Sequence, residues 1–365
     1  MNLAAYIVRR CLVAVAMLVG LTFITFVLYD LTPIDPACVV AGCDVGGRPL
    51  DPAQKKLIYE AIGVDKPLTT QYVEWAKGVL HGDLGLAWQG LLIDPEGGLF
   101  GTSVSQTVIP AVWQSLSIVV GGIVLLLAFV VPIAALGASR PGSWFDRVTA
   151  ALLLIGISTH PLVVGLILQS VSRSWTAVPW GGYCPIRAPD GESRPVTTGA
   201  GPALESCHGI HNWAWHLLLP WLTFSIFFAA LYVRVLRTTL IEVLGEPYIA
   251  TARAKGASEA RVMFRHALRN AMRPILTMTA MEAGMAVSVL LYIEVVFGIN
   301  GLGRVSLTAF SGELGYDRQL IAALVLFIGI AIIGLNLLVD LIYPLIDPRV
   351  TIGRERSRLV VGPAA

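Results

Sequence analysis

Leu116–Leu136 reads LSIVVGGIVLLLAFVVPIAAL, twenty-one residues with no charged side chain. The hydrocarbon core of a bilayer takes about 20 apolar residues to cross as a helix, so this stretch has the length and composition of a membrane span. Five more runs pass the same test: Cys11–Tyr29, Val148–Ser172, Trp213–Val233, Pro274–Ile293 and Gln319–Val339. Among the six only the fifth carries a formal charge, Glu282. Hydrophobic residues make up 55% of the 365 and charged ones 14%, against about 25% charged in soluble domains, so lipid must solvate much of the chain. The expectation is an all-α integral membrane protein with six transmembrane helices.

Lysines and arginines orient it. Assigned alternately to the two sides, the connecting segments carry 16 on one side and 10 on the other. The first set occupies much shorter segments, at about three times the density, which places that side, and with it both termini, in the cytoplasm. Arg9 and Arg10 precede the first run and Val40-Ala41-Gly42-Cys43 resembles a lipoprotein cleavage box. The run is nevertheless too long for a signal core, and Asp30, Pro33, Asp35 and Pro36 separate it from that box, so it is read as a span.

The chain then divides into residues 1–30 (cytoplasmic end and first helix), 31–114 (an external segment), 115–344 (a five-helix core) and 345–365 (a cytoplasmic tail). Within the external segment Asp51-Pro52 starts a helix through Lys56, Leu57 and Glu60, and beyond it Gly63, Pro67 and Gly82-Asp83-Leu84-Gly85 punctuate the chain. Within the core lie an external loop, 173–212, rich in Gly and Pro and read as irregular, and a cytoplasmic segment, 234–273.

Several function classes fall away. No Gly-Lys pair of a phosphate loop occurs among the five lysines, so this chain holds no ATPase site, and neither HExxH nor GxSxG is present for an intramembrane hydrolase. The five cysteines lack CxxC spacing. Cys207, His208, His211 and His216 invite a metal reading, but on an oxidising exterior a disulfide from Cys207 to Cys184 is the ordinary explanation, with Cys38 to Cys43 as a second pair and Cys11 a thiol in lipid. An ion-coupled secondary transporter stays open, although such proteins usually bury several ionisable groups and here only Glu282 lies well inside a span.

The segment 234–273 is far longer than a turn requires. Glu246-Pro247-Tyr248 fits a helix start with Pro at the first position, Gly256 fits a left-handed stop, and Ser258 caps a second helix through Leu268. Tyr248, Ile249, Ala252, Val262, Phe264 and Leu268 supply apolar contacts, and Arg253, Lys255, Arg261, Arg265 and Arg269 surround them. A basic hairpin lying on anionic headgroups has the same composition.

Sequence detail favours another reading. Tyr248-Ile249-Ala250-Thr251-Ala252-Arg253-Ala254-Lys255-Gly256, continued by His266-Ala267-Leu268-Arg269-Asn270-Ala271, resembles the coupling motif of permease subunits in dipeptide, oligopeptide and nickel ABC importers. The resemblance covers nearly the whole chain, through Leu31–Pro36, Asp65-Lys66-Pro67, Gly82–Gly85, Gly142–Arg147, Glu294-Val295-Val296-Phe297, Gly301-Leu302-Gly303-Arg304 and Asp347-Pro348-Arg349. It implies a type I (MetI-like) importer transmembrane domain in a bacterial inner membrane, the last five helices forming the core and the first lying at the periphery. It implies as partners a second homologous permease, two ATP-binding subunits that hold ATP and Mg, and an external solute-binding protein, with no cofactor in this chain. Tyr248, Ala252, Arg253, Lys255, Gly256, Ser258 and Phe264 are then the residues coupling it to the ATPase. Ala250 stands where the general importer motif has Glu, as is common in the peptide branch.

Two ionisable residues depart from the pattern, His160 where a small or apolar residue is usual and Glu282 where Gln is frequent. A charge inside a membrane is costly, so Glu282 must face a lumen or a protein interior, and both residues are candidates for the translocation path. For His160 the competing reading is a neutral imidazole hydrogen-bonded at the helix break beside Pro161.

Overall fold

The computed structural model describes residues 3–41, 50–89, 91–93, 99–174, 178–186, 194–198, 201–205, 209–311 and 317–346. In chain order α1 (Leu3–Asp30), α2 (Pro36–Ala41), α3 (Pro52–Ile62) and α4 (Leu68–Leu80) lead to the paired strands β1 (Leu92–Ile93) and β2 (Leu99–Phe100). After them come α5 (Val104–Ser139), α6 (Trp144–Ser158), α7 (Pro161–Arg173), the antiparallel pair β3 (Arg194–Thr198) and β4 (Gly201–Glu205), and α8 (Ile210–Leu244). The chain ends through α9 (Pro247–Ala254), α10 (Glu259–Arg261), a π-helical stretch Val262–Ala267, α11 (Leu268–Met281), α12 (Ala283–Phe297), α13 (Leu302–Ser311) and α14 (Arg318–Ile346).

Four of these are long and apolar enough to cross a bilayer, within α1, α5, α8 and α14, and a fifth span forms if α11 and α12, bent by 64° at Glu282, count as one. The third run is one apolar stretch but two helices, broken where Pro161 marks the sequence. Pro161 lacks the N–H a continuing helix needs, and the chain is cut into α6 and α7 at Thr159-His160. The loop read as irregular contains the β3–β4 ladder, from Arg194 opposite Glu205 to Thr198 opposite Gly201, where Val196, Thr197 and Thr198 favour extended backbone.

The core is built on α5 and α8. Trp221 Nε1 donates to the Ser117 carbonyl at 3.0 Å and Ser225 Oγ to the Gly122 carbonyl at 3.0 Å, so residue numbers rise together and the two helices run parallel. Their close approach depends on two small residues. A Cβ on Gly121 would fall 2.0 Å from the Trp221 ring, and one on Gly122 2.6 Å from the Phe224 ring. Ile118, Leu126 and Val130 of α5 and Leu217, Leu236 and Leu240 of α8 are buried in a cluster that extends to Ile275 of α11 and Ile293 of α12.

α1 lies outside this core and packs on α14 in antiparallel fashion, with Leu18 and Leu21 close to Gly329 and Phe26 and Tyr29 close to Arg318. Arg318 is 5% exposed and holds that end together. Its guanidinium lies 4.5 Å from the Trp88 ring, 5.0 Å from Phe26 and 5.8 Å from Tyr29, and Nη1 donates to Gln71 Oε1 of α4. Cation–π contact compensates part of what burying the charge costs. The Tyr72 hydroxyl, from α4, bonds the Val19 carbonyl and Thr22 Oγ1 of α1, and its ring meets Phe23 and Phe26 edge-on. The segment 31–114 thus seats against α1 and α14.

Candidate coupling and translocation site

At the opposite end of the bundle α8 stops at Gly245, and Pro247 begins α9 at the first helical position. The α9 ladder ends at Lys255, and Gly256 turns the chain at φ +82°, a conformation that costs a side-chain-bearing residue but not glycine. Ser258 Oγ then accepts from the Arg261 N–H at 3.4 Å and caps the returning helix. Sequence pattern predicts all three features, but the returning helix does not end at Leu268. It runs through the π-helical stretch into α11, so the hairpin is continuous with a membrane helix.

Two contacts tie the hairpin's arms. Arg253 Nε and Nη2 donate to Glu259 Oε1 and Oε2 at 2.8 and 3.1 Å across the Gly256 turn, and Asn270 Nδ2 donates to the Tyr248 hydroxyl at 2.6 Å. The Arg253 guanidinium holds the Glu259 carboxyl below its usual range. Ile249, Val262, Met263, Ala267 and Ala271 are buried beneath the turn, and Ala252 is half-buried. Of the six apolar residues expected to pack there, Tyr248 (41% exposed) and Phe264 (56%) instead project from the surface beside exposed Lys255 and Gly256. Glu259, the partner of Arg253, is not recognisable from the linear motif because its role depends on the fold of the turn.

At the foot of the bundle Arg237 of α8 makes a bidentate pair with Asp146 of α6, Nη2 to Oδ2 at 2.7 Å, and Asp146 also accepts from the Gly142 N–H at 2.8 Å. Arg237 first, and Gly142 second, hold the Asp146 carboxyl below its usual range.

Glu282 occupies the single-residue break between α11 and α12 and is half-buried, with Met281 beside it 80% exposed. His160 is the N-cap of α7. Its Nδ1 accepts from the Leu162 N–H at 3.2 Å, and its ring meets Tyr292 of α12 edge-on at 4.6 Å between centroids. That geometry is the hydrogen-bonded imidazole at a helix break, and the structure does not bring His160 and Glu282 into contact.

A site that sequence reasoning missed lies further along α12. Glu294, 0% exposed, accepts from Ser115 Oγ of α5 at 2.6 Å and from the Arg304 N–H at 3.0 Å, and Ser115 Oγ accepts from the Leu302 N–H at 2.8 Å. The signal was present as an acidic residue followed seven positions later by Gly301-Leu302-Gly303, but the lock depends on Ser115, 179 residues away in the chain.

The cysteines divide. Cys184 is buried and disulfide-bonded. Its expected partner Cys207 lies outside the described residues. The Cys38–Cys43 bridge is not formed, because Cys38 keeps its thiol. It sits within α2, whose ladder starts from the Asp35 carbonyl. Cys43 is outside the described residues. Cys11 is an exposed thiol. Among the described residues no three His, Cys, Asp or Glu side chains gather as a metal would need, and His208 falls outside them.

Several long apolar helices, one of them continuous with a rigid basic hairpin beyond the bundle, define an integral membrane protein of the permease class. The chain belongs to the family described as "Binding-protein-dependent transport system inner membrane component", which matches residues 130–352, and the N-terminal companion of that family matches residues 3–109. It is a multi-pass inner-membrane permease of an ABC importer. It is 31% identical over 353 residues to the dipeptide transport system permease protein of Escherichia coli (strain K12), covering 94% of this chain and 98% of that protein. It is 32% identical over 352 residues to a probable peptide ABC transporter permease protein of Sinorhizobium fredii, covering 95% and 99%.

Proposed function

We propose that this permease passes peptides, delivered by an external solute-binding protein, across the membrane in six crossings, and is driven by ATP-binding subunits that grip the α9–α10 hairpin. The crossings are α1, α5, α6 with α7, α8, α11 with α12, and α14. The parallel run of α5 and α8 supports this count, since the chain must return between them and α6 with α7 is the only apolar stretch placed to do so among the described residues. The start of α1, the ends of α5 and α8 and the hairpin share one end of the bundle, which supports termini on the hairpin side, the cytoplasm by charge density.

The observation that carries the reading is the hairpin itself. Buried below and clasped by Arg253–Glu259, it offers Tyr248, Lys255, Gly256 and Phe264 outward, a shape suited to a groove on an ATP-binding subunit. Two such subunits and a second, related permease complete the assembly, and ATP is bound and hydrolysed there rather than in this chain. Peptide cargo is inferred from the relatives' names, and Glu282, half-buried at a break in its span, is assigned to the translocation cavity.

The test is to copurify the assembly and measure ATP hydrolysis with binding protein loaded with a dipeptide, a longer peptide or nickel. Stimulation by loaded binding protein is expected, and peptide cargo predicts that the peptide forms stimulate most. Failure of any ATP-binding subunit to copurify would overturn the assignment in favour of an ion-coupled transporter.

A further inference from the structure

The two halves of the bent span are held in opposite ways. Below Glu282 the hairpin and α11 are one body, since the helix from Glu259 to Met281 is unbroken and Ile249, Val262, Met263, Ala267 and Ala271 bury its near end. Above Glu282, α12 is fastened on three sides. Glu294 takes Ser115 of α5 and the Arg304 N–H of α13, the Val296 carbonyl accepts from Gln169 Nε2 of α7 at 2.7 Å, and the Phe297 carbonyl accepts from the Gly182 N–H at 2.8 Å. No slack exists at the lock, because a Cβ on Gly301 would lie 2.1 Å from Glu294 Oε1 and one on Gly303 2.5 Å from the Leu291 backbone.

Between the halves one face is packed, with Ala283 5% exposed and Met278 and Ala286 against the core, and the other face is open. Gly284 has nothing within 4 Å of where a Cβ would stand, and Met281 and Met285 are 80% and 50% exposed. We propose that Glu294 is a positioning residue for transport: it holds the outer half of the span to α5 and α13, so that movement of the hairpin is taken up at Glu282-Ala283-Gly284. A buried network with its partners satisfied is rigid, whereas a helix break packed on one face only yields more readily. The lower arm, Glu259–Met281, is about 34 Å long at 1.5 Å per residue, so a change of about 10° at the bend moves its far end by about 6 Å. This proposal rests on the reading that ATP-binding subunits move the hairpin.

The experiment uses the assembled transporter with Cys11, Cys38 and Cys43 changed to Ser and spin labels placed in this chain alone. One pair, Ala260→Cys with Val295→Cys, spans the bend; the other, Val120→Cys with Val295→Cys, lies within the outer body. All three sites are exposed. Pulsed electron paramagnetic resonance is recorded with and without ATP on a hydrolysis-deficient ATPase. The 260–295 distance is expected to shift by several ångströms while 120–295 stays fixed.

Ser115→Ala and Glu294→Ala are each expected to make 120–295 nucleotide-dependent and to lower cargo moved per ATP by about fivefold or more, the scale of a modest coupling energy, with the double variant no worse than either single one. A lock that merely stabilises α13 would leave the nucleotide response of 120–295 unchanged. Gly284→Ala, which fits the space, is expected to shrink the 260–295 shift; this variant and the wild-type pairs decide the matter even if Glu294→Ala does not fold. A Lys255→Cys cross-link to the ATP-binding subunit separates the two readings. If it forms while 260–295 stays constant, or both distances change together, the hinge is refuted and the coupling reading stands; if it does not form, the coupling reading falls first.

Discussion

Changing Gly301 to Ala adds one methyl group, and the structure predicts a large effect. The new Cβ would stand 2.1 Å from Glu294 Oε1, 2.3 Å from its Cδ and 2.6 Å from Ser115 Oγ, all far inside contact distance. Glu294 is fully buried, so it has no free direction in which to yield. Overpacking of this kind costs about 1–3 kcal/mol. Any shift that relieves it strands the Leu302 or Arg304 N–H, at about 1–3 kcal/mol for each buried donor left without a partner. The sum is a loss of about 2–6 kcal/mol. The same substitution at Gly284, where nothing lies within 4 Å, removes a glycine from the first turn of α12 and is expected to stabilise by at most about 1 kcal/mol. The assay is the thermal denaturation midpoint of the detergent-purified assembly, read by loss of the monodisperse peak after heating. Gly301→Ala should lower the midpoint and Gly284→Ala leave it unchanged or raise it. A Gly301→Ala midpoint equal to wild type would refute the reasoning, for it would mean that the Glu294–Ser115 lock is loose.

The cysteines, the hairpin and two carboxylates give further expected outcomes. Without reductant, a maleimide should label Cys11 readily and Cys38 after denaturation, and Cys184 only after reduction; mass analysis showing Cys184 labelled without reductant would contradict its disulfide. Gly256→Trp, or Arg253→Glu opposite Glu259, should leave insertion intact while ATP hydrolysis no longer drives uptake, and pairing Arg253→Glu with Glu259→Arg should restore coupling if the clasp is what matters. Glu282→Gln should weaken uptake of cationic peptides more than neutral ones with basal hydrolysis preserved; equal uptake of both would make Glu282 a structural residue. Because the folded Asp146 carboxyl titrates below its unfolded value, its pairing with Arg237 stabilises above about pH 4 and is lost as pH falls through the lower folded value. Asp146→Asn should therefore be less stable than wild type at pH 7, with the gap closing in strong acid, as thermal midpoints across pH would show.

Apolar length made the long spans legible, because lipid imposes one requirement on every turn of helix. The hairpin was legible for a local reason: Pro247, Gly256 and Ser258 each fix the backbone within a few residues of themselves. Of the two breaks, only the one that Pro161 marks was legible. His160-Pro161 cuts the third run and Glu282 bends the fifth, and in both cases hydropathy is continuous across a point where geometry is not. The β3–β4 ladder was hidden among the glycines and prolines around it. Glu294 and Arg318 could not be read as sites at all, since what distinguishes them is the set of distant residues they meet: Ser115 for one, and Phe26, Gln71 and Trp88 for the other.

The Arg318 cage also bears on how the chain is made. Phe26, Tyr29, Gln71 and Trp88 leave the ribosome early, but the guanidinium they surround is synthesised about 230 residues after Trp88. At about 5–20 residues per second that is a wait of roughly 10–50 s, during which α1 has neither its packing partner α14 nor the cation around which its aromatic end closes. However early α1 inserts, it therefore docks on α14 only after Arg318 has been made. A chain cut short before residue 318 would lack the cation around which this aromatic cluster closes.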